Sequence, residues 1–204
     1  MQRRVAVYID GFNLYNGLRA KHEKRYLWLD LHEVCKSFLR PDQTLIRIGY
    51  FTAPVRGDRF AAEQAIYLDA LRATSSILTV TEGRFLEKPV QCPACGDVRM
   101  TYEEKETDVN IAVSLVEDAA GDRYDTALLI TGDSDLCPAI RSVRRLRPTK
   151  RVLVAFPPLR STNQLRQTAH GTFSISGSRL RGRLLPDVVT TDTGVKLIRP
   201  ERWH

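Results

Sequence analysis

The sequence predicts an α/β protein, a doubly wound and mostly parallel sheet of five strands with helices on both faces. Two observations carry this. Short apolar runs alternate with stretches of helical periodicity, and strand–helix–strand connections of that kind close as right-handed crossovers of a parallel sheet. The runs are also continuously apolar, as expected of strands covered on both faces.

The elements follow in order. Val5–Ile9 reads as a buried strand bounded by Arg4 and Asp10, and residues 13–22 as a helix. Leu31, Val34, Cys35, Phe38 and Leu39 recur at helical spacing, with Asp30 as the cap and Pro41 as the stop. Residues 45–51 are a second strand, and 58–73 a helix with Phe60, Ala61, Ala65, Leu68 and Leu71 inward. Residues 77–80 are a third strand. Residues 83–102 form an extended, hairpin-like excursion with a tight turn at Cys92-Pro93-Ala94-Cys95-Gly96. A helix over 107–119 turns Val109, Ala112, Val113 and Val116 inward; strand 126–131, helix 134–146 and strand 151–156 complete the pattern. The main domain is expected over residues 1–157, with 158–204 as a basic C-terminal extension packed on it.

At 204 residues and 23.2 kDa, with 43% hydrophobic and 27% charged residues, the chain is long enough to bury a core and too balanced to be disordered or fibrous. No apolar stretch is long enough to span a membrane. Asp10 interrupts any signal-peptide core, and four cysteines without such a signal point to a reducing, cytoplasmic setting.

The net charge of +7 is unevenly placed. From Leu136 to Pro186 there is no Asp or Glu, while ten arginines and Lys150 lie there. The remainder of the chain carries 20 basic and 24 acidic residues. Arginine suits forked contacts with phosphate, so this stretch, with Arg141, Arg144, Arg145, Arg147, Arg160 and Arg166 as its leading members, is read as a nucleic-acid-binding surface rather than a solvated face.

Ligands of open α/β sheets bind at the carboxyl ends of the strands. The first strand ends in Asp10-Gly11-Phe12-Asn13, the fourth in Thr131-Gly132-Asp133-Ser134-Asp135, and the helix from Thr107 opens with Asp108 after Lys105. Asp108, Asp133 and Ser134 each have helix capping as an alternative reading. Carboxylates gathered at one edge repel and call for a cation, and an all-oxygen donor set favours Mg²⁺ or Mn²⁺ over Zn²⁺. Asn13 would assist at a metal-held water or a phosphate oxygen, and Lys105 at a phosphate. Such a site beside a basic stretch suits phosphodiester hydrolysis, in which a metal supplies hydroxide and offsets charge on the phosphate.

Asp10-Gly11-x-Asn13, Lys105-x-x-Asp108-Val109 and Thr131-Gly132-Asp133-Ser134-Asp135, in this order, resemble the NYN domain, a member of the PIN-like nuclease superfamily, in its bacterial branch. The resemblance spans about residues 4–156, with Leu136 where an aromatic residue is frequent, and the tail around Leu184–Asp187 and Arg199–Trp203 also resembles segments attached to such domains. It implies a three-layer α/β/α sandwich and a metal-dependent ribonuclease acting on RNA, with Asp10, Asp108, Asp133 and Asp135 as the acidic metal set and Asn13 and Lys105 assisting.

Two rival readings are a non-catalytic RNA-binding module of the same fold and a phosphatase with Asp10 as nucleophile; the second usually wants an Asp two residues on, where Phe12 stands. Cys92 and Cys95 form one half of a zinc knuckle, with His170, His204 or a second chain to complete it; a metal-free turn is preferred. A homodimer is left open. Cys35, Cys137, Tyr8, Tyr50, Phe51 and Phe156 read as core, His22 and His32 as surface residues, and Trp28 and Trp203 as undecided.

Overall fold

The structure, a computed structural model, describes residues 2–55 and 57–203, with only the backbone of 102–104. The chain runs β1 (Arg3–Asp10), α1 (Gly11–His22), α2 (Leu31–Lys36), β2 (Gln43–Thr52), α3 (Asp58–Thr74), β3 (Leu78–Glu82), β4 (Arg84–Gln91), β5 (Val98–Lys105), α4 (Thr107–Ala120) and β6 (Thr126–Ile130). A 3₁₀ turn (Ser134–Leu136) leads into α5 (Cys137–Leu146), then β7 (Arg151–Phe156), α6 (Asn163–Thr168), β8 (Gly171–Ser174), α7 (Gly177–Leu180), β9 (Val188–Thr190) and β10 (Lys196–Ile198).

The main sheet has the order β3-β2-β1-β6-β7-β8, and every neighbouring pair is parallel. It therefore has six strands where the sequence suggests five. The sixth, β8, lies in the stretch expected to be a C-terminal extension. Four residues at a sheet edge, with Phe173 partly exposed, carry too little apolar signal to be read locally.

β1 sits at the centre, and its alternation divides the core. Val5, Val7 and Ile9 face a layer built from α1, α2, α3 and the C-terminal segment. Ala6 and Tyr8 face α4, α5 and α6. The three-layer α/β/α sandwich is thus present. Trp28 and Trp203 both belong to the first core, with ring centroids 6.1 Å apart. The segment after β8 is fastened there, since Trp28 Nε1 donates to the Pro186 carbonyl at 2.9 Å and the Leu185 N–H donates to the Trp28 carbonyl. Among the described residues no helix is long and apolar enough to cross a membrane.

One helix is rotated from its expected face, and a second keeps only part of it. On α4, Val109 and Val113 are exposed, while Ile111, Leu115 and Ala119 are buried. On α3, Phe60 and Ala65 are exposed, and Leu68 and Leu71 point inward beside Tyr67, Ala70 and Glu63. On α4 two apolar stripes compete, and the core takes the one that carries Ile111 and Leu115; on α3 the expected Leu68 and Leu71 are buried and the first turn faces outward.

β4 and β5 form an antiparallel hairpin, paired from Arg84↔Lys105 to Gln91↔Val98, with the cysteine turn at its tip. It grows from the carboxyl end of β3 and returns to α4, so the expected excursion stands at the carboxyl edge of the sheet. A T-shaped contact of Phe12 with Phe85, 5.9 Å between centroids, ties its base to α1.

Candidate functional site

From β1 the chain winds one way through β2 and β3 and the other way through β6, β7 and β8, so the strand order reverses between β1 and β6. Parallel α/β sheets form their ligand crevice at the carboxyl side of such a reversal. Asp10 closes β1 there, and Asp133 follows β6.

Three local features bind these two strand ends together. Asp10 is the N-cap of α1, its Oδ1 accepting the Asn13 N–H at 2.9 Å, while Oδ2 accepts from Asn13 Nδ2 at 2.6 Å and from Thr131 Oγ1 at 2.9 Å. Thr131 Oγ1 in turn accepts the Asp133 N–H at 3.0 Å, and Asn13 Oδ1 accepts the Gly132 N–H at 3.3 Å. Asp133 caps the following 3₁₀ turn by accepting the Asp135 N–H at 2.8 Å. Both strand-end acids are caps, the role the sequence allowed for Asp133 and did not foresee for Asp10. Asp108 is not the cap of α4, because Glu106, in a left-handed conformation, precedes that helix.

Asp10 is only 3% exposed. Burial holds its carboxyl above the usual carboxylate range, the Asn13 and Thr131 hydrogen bonds oppose that rise, and the negative charge of Asp133 adds to it. The Tyr50 hydroxyl is likewise pushed up, by burial and then by the charge of Asp10. The described contacts of Asp10 are neutral donors and a second acid, an arrangement that leaves its negative charge uncompensated.

The remaining expected residues divide. Asp135 is exposed and lines a cavity with Arg141, Gln164 and Gln167 between α5 and α6. Asp108 lies in the first turn of α4, and Lys105 ends β5 opposite Arg84, so both stand at the carboxyl edge through the hairpin. Asn13 bridges Asp10 to Gly132 through both ends of its amide, which gives it a positioning role at the strand ends. Thr131 and Gly132 stand in the sequence motif without roles of their own. Thr131 links the two acids, and a Cβ on Gly132 would come within 2.8 Å of the Arg160 Cβ. Their signal was the Thr-Gly pair directly before Asp133.

The basic stretch also divides. Lys150 is buried and paired with Asp122 and the Tyr124 carbonyl, so it serves the fold. Arg144 donates to the Thr168 carbonyl at 2.8 Å and Arg147 to the Ala120 carbonyl at 2.7 Å, bonds that fix their side chains while leaving them charged and exposed; Arg145 is exposed on α5. Arg160 packs on Gly132, Arg141 shares the cavity with Asp135, and Arg166 lies 4.7 Å over the ring of Phe156 at the end of β7. Of these, Arg160 lies against the turn that carries Asp133, and Arg141 lies beside Asp135.

At the hairpin tip the Cys92 thiol is held below the usual thiol range by the backbone N–H groups of Cys95 and Ala94 and by the Cys95 side chain. His170 stands apart, its Nδ1 accepting the Val152 N–H at 3.0 Å beside β7. His204 lies outside the described residues.

An α/β sheet that buries an acid at its topological reversal and couples it through Thr131 to a second acid forms an acidic strand-edge site. The chain belongs to the NYN domain family, whose model matches residues 4–176, and thereby has the PIN-like nuclease fold. It is 30% identical, over 98% of its length and 75% of that protein's, to 6-hydroxy-3-succinoylpyridine 3-monooxygenase HspA of Pseudomonas putida. Its fold is similar to that of a solved protein of unknown function from Vibrio parahaemolyticus, with a TM-score of 0.62, 18% identity, and 90% of this chain and 97% of that one covered.

Nucleases of this fold generally use divalent metal ions. The donor chemistry here fits one: the groups at the strand ends are all oxygen, and the buried Asp10 beside Asp133 is a charge that a hard cation would offset. Among the described residues, no three His, Cys, Asp or Glu side chains are gathered so as to hold an ion. Of the four expected acids, Asp10 and Asp133 are the two coupled directly, through Thr131.

Proposed function

We propose that the protein hydrolyses phosphodiester bonds of RNA, as a Mg²⁺- or Mn²⁺-dependent endoribonuclease. The observation that carries this reading is the coupling of Asp10 to Asp133 across the strand-order reversal, with Arg160 seated on the intervening Gly132. Asp10 and Asp133 would hold the ion, which when bound supplies Lewis acidity toward water and a phosphoryl oxygen. Asn13 and Thr131 fix the Asp10 carboxylate in one orientation through neutral donors, leaving its charge to the cation. Arg160, Arg141 and Arg166 present guanidinium groups to the phosphates on either side of the scissile bond. All four cysteines are free thiols, which supports a reducing, cytoplasmic setting.

The test is cleavage of an end-labelled single-stranded RNA with Mg²⁺ or Mn²⁺, with EDTA as control, comparing the protein with Asp10→Asn. Cleavage that needs the ion and is lost in the folded variant is expected. Cleavage that persists in EDTA would overturn the reading, as would turnover of 6-hydroxy-3-succinoylpyridine by a protein inert toward RNA.

A further inference from the structure

Beside the strand-end acids, under α1 and α3, lies a cavity of about 270 Å³. Its wall carries Phe12, Tyr15, Tyr26, Tyr50, Tyr67 and Trp203. That is an unusual density of rings for a chain with only 8% aromatic residues. An apolar cavity of about 150 Å³ holds benzene, and drug-sized molecules need about 300 Å³ or more. The space therefore suits one planar ring with a short substituent.

The charged groups in the wall are Glu63, Arg202 and Arg19. Glu63, 8% exposed, accepts from Arg202 Nη2 at 2.6 Å and from Arg59 Nε at 3.3 Å, so its charge is compensated without a ligand. The Arg202 guanidinium lies 4.7 Å over the ring of Phe60, which also lines the cavity. Its Nε–H is buried and has no acceptor. A buried donor left unmet costs free energy that an incoming acceptor would recover. Arg19, at the exposed end of the lining, adds a second cation against the single acid of the wall. Gln64 offers nothing further, because its amide already serves Val55, Thr52 and Ala53.

We infer that this cavity is a binding site for a small planar aromatic carboxylate, its ring among the tyrosines and Trp203 and its carboxylate toward Arg202 and Arg19. The ring supplies flat apolar surface matched to the wall. The carboxylate supplies the acceptor that Arg202 lacks and balances the excess positive charge. The site is separate in chemistry from phosphodiester cleavage, and its test does not depend on that activity.

The protein's two tryptophans, Trp203 in the wall and Trp28 against it, make intrinsic fluorescence a direct reporter. Benzoate and nicotinate are titrated into the full chain, with calorimetry as a second readout and benzamide, cyclohexanecarboxylate and AMP as comparison probes. Saturable binding of the aromatic acids is expected. Benzamide, lacking the charge, is expected to bind at least ~10-fold more weakly, and cyclohexanecarboxylate, lacking the flat ring, at least ~5-fold. Arg202→Gln should erase the preference for acid over amide. Phe60→Ala, at a half-exposed position that leaves the core intact, should weaken binding by about 5-fold through loss of the ring that holds the guanidinium. Circular dichroism confirms that each variant is folded. Absence of saturable binding, equal binding of the flat and puckered acids, affinity unchanged in both folded variants, or tighter binding of AMP than of either acid would overturn the assignment.

Discussion

β1 contributes to two buried carboxylate clusters, and they are built in opposite ways. Asp118, on α4, is 1% exposed and accepts from Tyr8 Oη at 2.6 Å, Arg47 Nη1 at 2.6 Å and Arg123 Nη1 at 2.8 Å. Asp10, two residues beyond Tyr8 on the same strand, is nearly as buried, yet its described partners are an amide, a hydroxyl and a second acid. Removing a carboxylate from water is costly, and an ion pair with full hydrogen bonding offsets that cost. Asp118 has this compensation inside the protein and acts as a fastening between α4, β1 and β2. Among its described contacts Asp10 has no such cationic partner, which is the feature on which the proposed metal site rests.

Exchange of the two acids should separate stability from activity. The largest effect is expected for Asp118→Ala, which leaves Arg47 facing the core without its acid. Loss of one partner of a buried pair costs ~3–5 kcal/mol, and the solvent still reaching Arg47 and Arg123 points to the lower end. Urea unfolding checks this, and a loss under ~1 kcal/mol would show that Asp118 is not the fastening. Asp10→Asn should instead leave the fold standing, since Asn also caps helices, and lower RNA cleavage by at least ~10²-fold, the scale of one preorganised electrostatic contact. Retained cleavage in a folded Asp10→Asn protein would erase the distinction between the acids.

A smaller effect is expected on binding. Arg141, Arg160 and Arg166 replaced together by Ala should weaken RNA affinity across sequences. The log–log salt slope should flatten by roughly 2, at ~0.7 per phosphate contact on a single strand. Arg144 and Arg147, already committed to carbonyls, should change that slope little. Filter binding at several salt concentrations distinguishes the two sets.

The smallest effect is a pH dependence. Because the folded Asp10 carboxyl lies above its unfolded value of 3.8, the native state holds its proton more firmly. Its contribution is therefore favourable at acid pH and is lost as pH rises through the folded value. Asp10→Asn abolishes that loss. The melting temperature of the variant minus that of the native protein should rise from pH 3.5 to neutrality, and a difference that stays flat would mean Asp10 has ordinary solvation.

The residues show where local reading succeeds. Asp30 caps its helix as expected, because a cap acts within one turn, whereas that helix ends at Lys36, before Phe38, Leu39 and the expected stop at Pro41. The rotated α4 shows where it fails. Val109 and Val113 are as apolar as Ile111 and Leu115, and only the neighbouring sheet breaks that tie. The site divides in the same way. Asp10 and Asp133 follow apolar strands and were legible, whereas Asn13's bridging role and Arg147's commitment to a carbonyl arise from contacts that no local pattern announces.

By itself the sequence determined the alternation of strands and helices, the parallel sheet, and the two acids at strand ends, since run length, periodicity and capping are set by neighbours a few residues away. Only the tertiary structure decided which buried acid is neutralised and which is left open, and how the aromatic cavity is walled. Arg47 reaches Asp118 from 71 positions away, and Arg202 reaches Glu63 from 139. Charge compensation and cavity closure are properties of surfaces brought together by packing, and at those separations the chain carries no local signal of its partner.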